Sequence, residues 1–276
     1  MGEFLYNTNS LLITLLLLAA MVLAMELGYR TGRRQPHAAG SAVKDHINAV
    51  LGSLLGVLAL LLAFSFSSAM DRYESRNEAL VEEANAIGTT YLRASLLPSA
   101  LRAEARNLLQ EYTNLRVRSS LVALDKAAER EAIVAQAARV SDALWAHAAR
   151  AAEINPSPVT TGLYVQSLNE TIDALGRRDA ALLRHVPEVI LFLLFGAFVT
   201  SCGVVGYAAG VASHRPASVA YILLLFIALV CFIIIDLDRP RRGLIRTDRT
   251  SLIQLKGAID RAQATGGALP ASGPKP

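Results

Sequence analysis

Little in this chain points to covalent chemistry. It has two cysteines, Cys202 and Cys231, and both fall inside apolar runs, so they read as small core residues with no disulfide implied. Its five histidines, His37, His46, His147, His185 and His214, are scattered without a partner set at zinc-ligand spacing, so no metal site is expected. No Gly-rich phosphate loop follows a strand, no strand pattern exists for one to follow, and no nucleophile motif occurs. An enzymatic activity or a cofactor is therefore not expected. The adjacent Glu82 and Glu83 read as solvated carboxylates on a charged helix face. Charge itself is scarce: 18% of the 276 residues are charged and 53% are hydrophobic. That balance is too apolar for a soluble domain and too charged for a chain made only of membrane spans. The net charge of +4 belongs to arginines beside apolar runs, and nucleic-acid binding is not expected.

Four apolar runs are long enough to span a bilayer: about Ser10 to Leu27, Ile47 to Met70, Val186 to Val211, and Ala217 to Ile235. None has a charge near its middle, where one costs about 2.5–3.5 kcal/mol. The region before the first run lacks Lys and Arg, and the run exceeds the apolar core of a signal peptide, so it is expected to stay as a span.

The only large polar segment lies between the second and third runs and is rich in Ala, Leu, Glu, Arg and Gln, all strong helix formers. No Gly or Pro interrupts the passage from the second run into it. Tyr73, Asn77, Leu80, Ala84, Ile87 and Tyr91 continue a heptad-like stripe, which predicts one rod from Ile47 to Leu97, about 75 Å long at 1.5 Å per residue. Leu97-Pro98 breaks it. Further helices are expected over Ser99 to Arg118, Asp125 to Ile154 and Thr160 to Arg184, with the turn "NPSP" at Asn155 to Pro158. The last should bury Leu163, Leu168, Ile172, Leu175 and Leu182. The tail from Ala264 to Pro276 is rich in Gly, Pro and Ala and reads as disordered.

The expected fold is thus an all-α membrane protein with four transmembrane helices and a helical domain inserted between spans two and three. Its parts are 1–70 (two spans), 71–185 (helical domain), 186–237 (two spans) and 238–276 (C-terminal segment and tail). Arg72, Arg76, Arg177, Arg178, Arg184, Arg239 and the arginines after it outnumber Arg30, Arg33, Arg34, Lys44 and Arg215 on the other side. That excess favours the helical domain and both termini in the cytoplasm, against the dense "RTGRR" that directly follows the first span.

The stretch "SSAMDRYESR", Ser67 to Arg76, resembles the segment that leaves the second span of bestrophins. There small or polar residues precede an acidic residue, an Arg, an aromatic and a Glu-x-Arg, here Asp71, Arg72, Tyr73, Glu74 and Arg76. "RHVPEVI", Arg184 to Ile190, is similar to the entry of their third span. "DLDRPRRGL", Asp236 to Leu244, resembles the acidic, Pro-containing segment after their last span. Span order and domain size also agree over about Ile47 to Leu244.

The resemblance, to a distant bacterial branch of the bestrophin-like family, implies a homopentameric ion channel of the inner membrane with anion (chloride) conduction favoured over cation. Its partners would be the lipid bilayer, its own copies and permeant ions. Bestrophins narrow at a neck of three apolar residues spaced by four on the second span. Counting back from Arg72 gives Gly56, Leu60 and Phe64. Gly56 departs from the pattern, which widens that end of the neck or moves it to Val57. Ser53, Ser67 and Ser68 are candidate polar liners, or serve hydrogen bonding within their own helix. Asp71, Arg72, Glu74, Arg76, Asp236 and Asp238 are the charged residues of the matched motifs, expected as a network tying the helical domain to the spans. Asp236 and Asp238 are too few for the six to eight oxygen ligands of calcium. The Gly56 departure also supports an alternative: a non-conducting scaffold or signalling protein whose helical domain binds a partner.

Overall fold

Asn9 opens the first membrane helix. Its side-chain oxygen accepts the Leu11 amide at 2.9 Å, one of the N–H groups that a helix start leaves without an internal partner. The structure is a computed structural model and describes residues 8–34, 41–122, 126–215, 218–239, 245 and 247–265. Its helices are α1 (Ser10–Arg33), α2 (Ser41–Arg93), α3 (Ser99–Leu121), α4 (Ala127–Ile154), α5 (Thr161–Leu183), α6 (Glu188–Val211), α7 (Ser218–Leu237) and α8 (Thr250–Thr265). A 3-10 turn, Ala94–Leu96, ends the long α2 just before the expected break at Leu97-Pro98. Among the described residues there is no strand. Stretches long and apolar enough to cross a membrane lie on α1, α2, α6 and α7, so the all-α, four-span membrane fold is as expected.

The rod is longer than its apolar pattern, because α2 already begins at Ser41. The expected start of α4 at Asp125, that of α7 at Ala217, and the tail from Gly266 onward lie outside the described residues. Ala264 and Thr265, expected in the tail, are the last residues of α8.

Two compact units make up the chain: Met1–Tyr73 with His185–Arg246, and Glu74–Arg184 with Thr247–Pro276. In the first, α1 and α6 meet backbone to backbone. A Cβ on Gly28 would lie 2.9 Å from the Tyr207 amide nitrogen, and one on Gly206 would overlap the Met25 carbonyl. Small residues permit this approach, which is how membrane helices gain contact without a hydrophobic driving force between them. Leu17, Met21, Met25, Leu194, Phe198, Leu224 and Cys231 fill the space around the pair.

In the second unit, the expected α2 stripe is buried at Leu80, Ala84, Ile87 and Tyr91. It packs with Leu109 and Tyr112 of α3, Ile133, Val140 and Leu144 of α4, and Tyr164 and Leu168 of α5. Each fully buried Leu or Ile there contributes about 1.5–3 kcal/mol relative to exposure. The buried face of α5 matches the expected one only at Leu168. It consists of Thr161, Tyr164, Ser167, Leu168, Thr171, Ala174, Arg178 and Ala181, while Leu163, Leu175 and Leu182 are half-buried and Ile172 is exposed. Small and polar side chains face inward because α2 comes close: the Thr90 and Thr171 hydroxyls are 2.8 Å apart. Helix α8 was not expected. Leu252, Ile259 and Ala262 join the same core, and Asp260 accepts Gln110 of α3 at 2.8 Å.

Candidate pore helix and its anchoring carboxylates

Among the described residues, those of the same subunit cover one face of α2's apolar stretch. Leu58, 3% exposed, packs into the α1–α6–α7 cluster, with Leu54, Leu61 and Leu62 partly buried beside it and Ala69 fully buried farther along. Residues three, four and seven apart share a helix face, whereas a residue two along is rotated about 200° to the opposite side. Leu60 and Phe64 are accordingly exposed, at 56% and 64%. Gly56 is exposed as well, and a Cβ built there or on Gly52 would have no neighbour within 4 Å. The three expected neck positions therefore lie together on the side turned away from the subunit's own core.

The three serines differ. Ser67, seven residues beyond Leu60, is exposed on the same face. The Ser53 hydroxyl donates to the Ala49 carbonyl at 3.1 Å, the internal helix bond that a membrane serine commonly makes. Ser68 is half-buried and holds Arg72, whose Nη1 donates to the Ser68 carbonyl at 2.9 Å and to its hydroxyl at 3.0 Å.

Of the charged motif residues, Asp71 and Glu74 are exposed, and Arg76 is buried. Asp236 and Asp238, both buried, bind backbone amides. Asp236 Oδ2 accepts from Ile245 N at 2.8 Å, and Asp238 Oδ2 accepts from Val186 N at 2.8 Å. His185 Nδ1 is 3.2 Å from the Asp238 carbonyl. The acidic segment after the last span thus holds the chain as it enters α6, which joins two motifs that are far apart in sequence. Arg239, which lies in the "DLDRPRRGL" motif but to which the sequence assigns no role beyond a flanking charge, is buried and donates to the Thr8 carbonyl and, at 3.0 Å, to the Ser10 hydroxyl. Asp238 and Arg239 together tie the end of α7 to the starts of α6 and α1. Residues 240–244 of that motif lie outside the described residues. Among the described residues no group of three His, Cys, Asp or Glu is placed to hold a metal ion.

The second unit holds a charged site that the sequence reading misplaced. Glu82 is exposed and bonds Arg177 at 3.1 Å, as a solvated carboxylate does. Glu83 is instead fully buried: Oε1 accepts Arg116 Nε at 2.5 Å, and Oε2 accepts Arg178 Nη1. It lies in the inward stripe with Leu80 and Ile87, so burial follows from its position. The two guanidiniums, each less than a tenth exposed, make that burial tolerable. Burial opposes the Arg116 charge, but Glu83 outweighs it and the guanidinium pKa is raised. Burial also pushes the Tyr112 phenol up to about 12.

Comparison with solved structures finds a bacterial bestrophin homologue from Klebsiella pneumoniae, 18% identical, with a TM-score of 0.62 over 92% of this chain and 97% of that one. A single-substitution variant of the same homologue gives 17% identity and a TM-score of 0.63 over 94% and 100%. At that identity the likeness establishes the fold. Comparison with curated proteins returns no match. The sequence model of the Bestrophin-like domain matches residues 13–252, nearly the whole chain, and the protein belongs to that family.

Proposed function

We propose that this chain is the subunit of a homo-oligomeric ion channel, a pentamer, in which copies of α2 surround a common axis. The observation that carries the proposal is the exposed strip of Gly56, Leu60, Phe64 and Ser67, which none of the described residues of the same subunit covers. Leu60 and Phe64 would form an apolar neck that gates by dewetting or by ring motion, and Gly56 would leave one end wider. Ser67, one turn beyond Phe64, would supply hydroxyls at the mouth. The family resemblance favours chloride over cations. Asp71, Arg72, Glu74 and Arg76 would set the field where α2 leaves the lipid; the family resemblance favours a bacterial inner membrane, and the arginine excess favours the helical domain in the cytoplasm.

Purified protein in liposomes tests this reading. An ion flux is expected, with a reversal potential that follows the chloride gradient. Liposomes that pass neither chloride nor sodium would overturn the channel assignment, and a potential that follows sodium would overturn the selectivity alone. The open space around Gly56 favours a second reading, a non-conducting scaffold. A monomeric or dimeric particle in detergent would support it.

A further inference from the structure

His147 is the one histidine of the second unit, and it is fully buried. It takes its place from the helix period: Val140, Leu144, His147, Ala148 and Ala151 form the inward face of α4. Its Nε2 lies 3.1 Å from the Leu101 carbonyl in the first turn of α3. A carbonyl only accepts, so Nε2 carries the proton and Nδ1 the lone pair. Nδ1 has no hydrogen-bond partner among the described residues, and neither has the buried hydroxyl of Tyr164. The Tyr164 ring, from α5, stands edge-on to the imidazole with centroids 6.3 Å apart.

Three titratable groups face the ring. Glu104 of α3 has Oε2 at 3.9 Å from Nε2, Arg150 of α4 holds the other Glu104 oxygen at 2.7 Å, and Tyr164 comes from α5. The Arg150 charge offsets a part of what Glu104 would offer a cation. A neutral imidazole suits this setting. A second proton would enter at Nδ1, where no acceptor is in place, and would put a charge inside an apolar core.

We propose that His147 is an acid-responsive element of the helical unit, whose protonation loosens the packing of α4 against α3 and α5. Burial, partly countered by Glu104 and the Leu101 carbonyl, holds the imidazole pKa below its ordinary 6.5. The folded unit therefore favours the neutral ring. The stability this gives is present above the ordinary value and is lost as pH falls from there through the lowered one, because the unfolded or opened chain binds the proton first.

Hydrogen exchange of the full chain in detergent, from about pH 8 to about pH 5, tests the proposal. After correction for intrinsic exchange, amides around His147 are expected to open more readily on acidification. The gain would approach tenfold for each pH unit between the ordinary and lowered pKa values. The emission of Trp145, the chain's only tryptophan and two residues away, should move over the same interval. His147→Gln should remove both responses. Should that variant fail to fold, Glu104→Gln provides the decision, because loss of the nearby carboxylate should move the midpoint to lower pH. A wild type whose opening is indifferent to pH, a His147→Gln protein that responds like wild type, or an unmoved midpoint in Glu104→Gln overturns the proposal.

Discussion

Glu83 combines full burial with two guanidinium partners, and the energetics of such a group are asymmetric. Removing one member leaves uncompensated charge in a medium that solvates it poorly, whereas removing all three leaves an ordinary apolar contact. Glu83→Gln should therefore lower stability by about 3–5 kcal/mol, read as a shift in the denaturation midpoint of the detergent-solubilised protein. The triple variant Glu83→Leu, Arg116→Met, Arg178→Leu should recover most of that loss. Equal loss in both variants would mean that the site contributes packing rather than charge balance. Tyr112 beside it gives an alkaline signature. Its phenol is raised from 10.0 to about 12, so the folded chain keeps the proton that the unfolded chain gives up first. Stability should be intact below about pH 10 and fall as pH rises towards 12, with Tyr91 and Tyr164 adding in the same direction. Tyr112→Phe should make that decline shallower in denaturation series across the interval. The stripe spacing marked position 83 as inward-facing, but its partners lie 33 and 95 residues away, and nothing local announces them.

At the level of elements, the glycines divide into two kinds that the sequence does not distinguish. Gly206 lies where α1 and α6 touch, and any side chain there meets the Met25 backbone, which cannot turn aside. Gly206→Ala should cost about 1–3 kcal/mol through forced separation of the two helices, seen as a lower melting temperature in detergent. Gly52 is also in a membrane helix but has nothing near it, and Gly52→Ala should be neutral or stabilise by up to about 1 kcal/mol through helix propensity. A reversal of that order would mean that α1 and α6 are not in contact. The spans and the rod were legible because long apolar runs and a sustained three-to-four-residue period each admit one reading. The inner face of α5 was not, because close helix packing selects Thr161, Thr171 and Ala174 over the leucines that hydropathy favours. Helix α8 escaped for a related reason. Its stripe of Leu252, Ile259 and Ala262 is short, and only the core that receives it makes the helix stable.

For the whole molecule the question is what covers the outer face of α2, and Gly56 decides it with one substitution. Because none of the described residues of the subunit lies within 4 Å of a Cβ there, Gly56→Leu should leave subunit folding and melting unchanged. What else changes then depends on the surroundings of the residue. Lining a conduit, the added side chain narrows it, so flux into liposomes falls while the particle mass stays that of the wild type. Against a neighbouring copy of α2, it blocks close approach, and the particle falls apart in detergent. Facing lipid, it changes neither. The pore reading expects the first outcome. It also expects the opposite from Phe64→Ala, which removes the bulkiest side chain of the exposed strip and should raise conductance in an otherwise intact assembly. Opposite signs from two substitutions two helical turns apart, at constant particle mass, are hard to obtain unless both side chains border the ion path. Unchanged flux in both variants would place the strip against lipid and remove α2 as the conducting element.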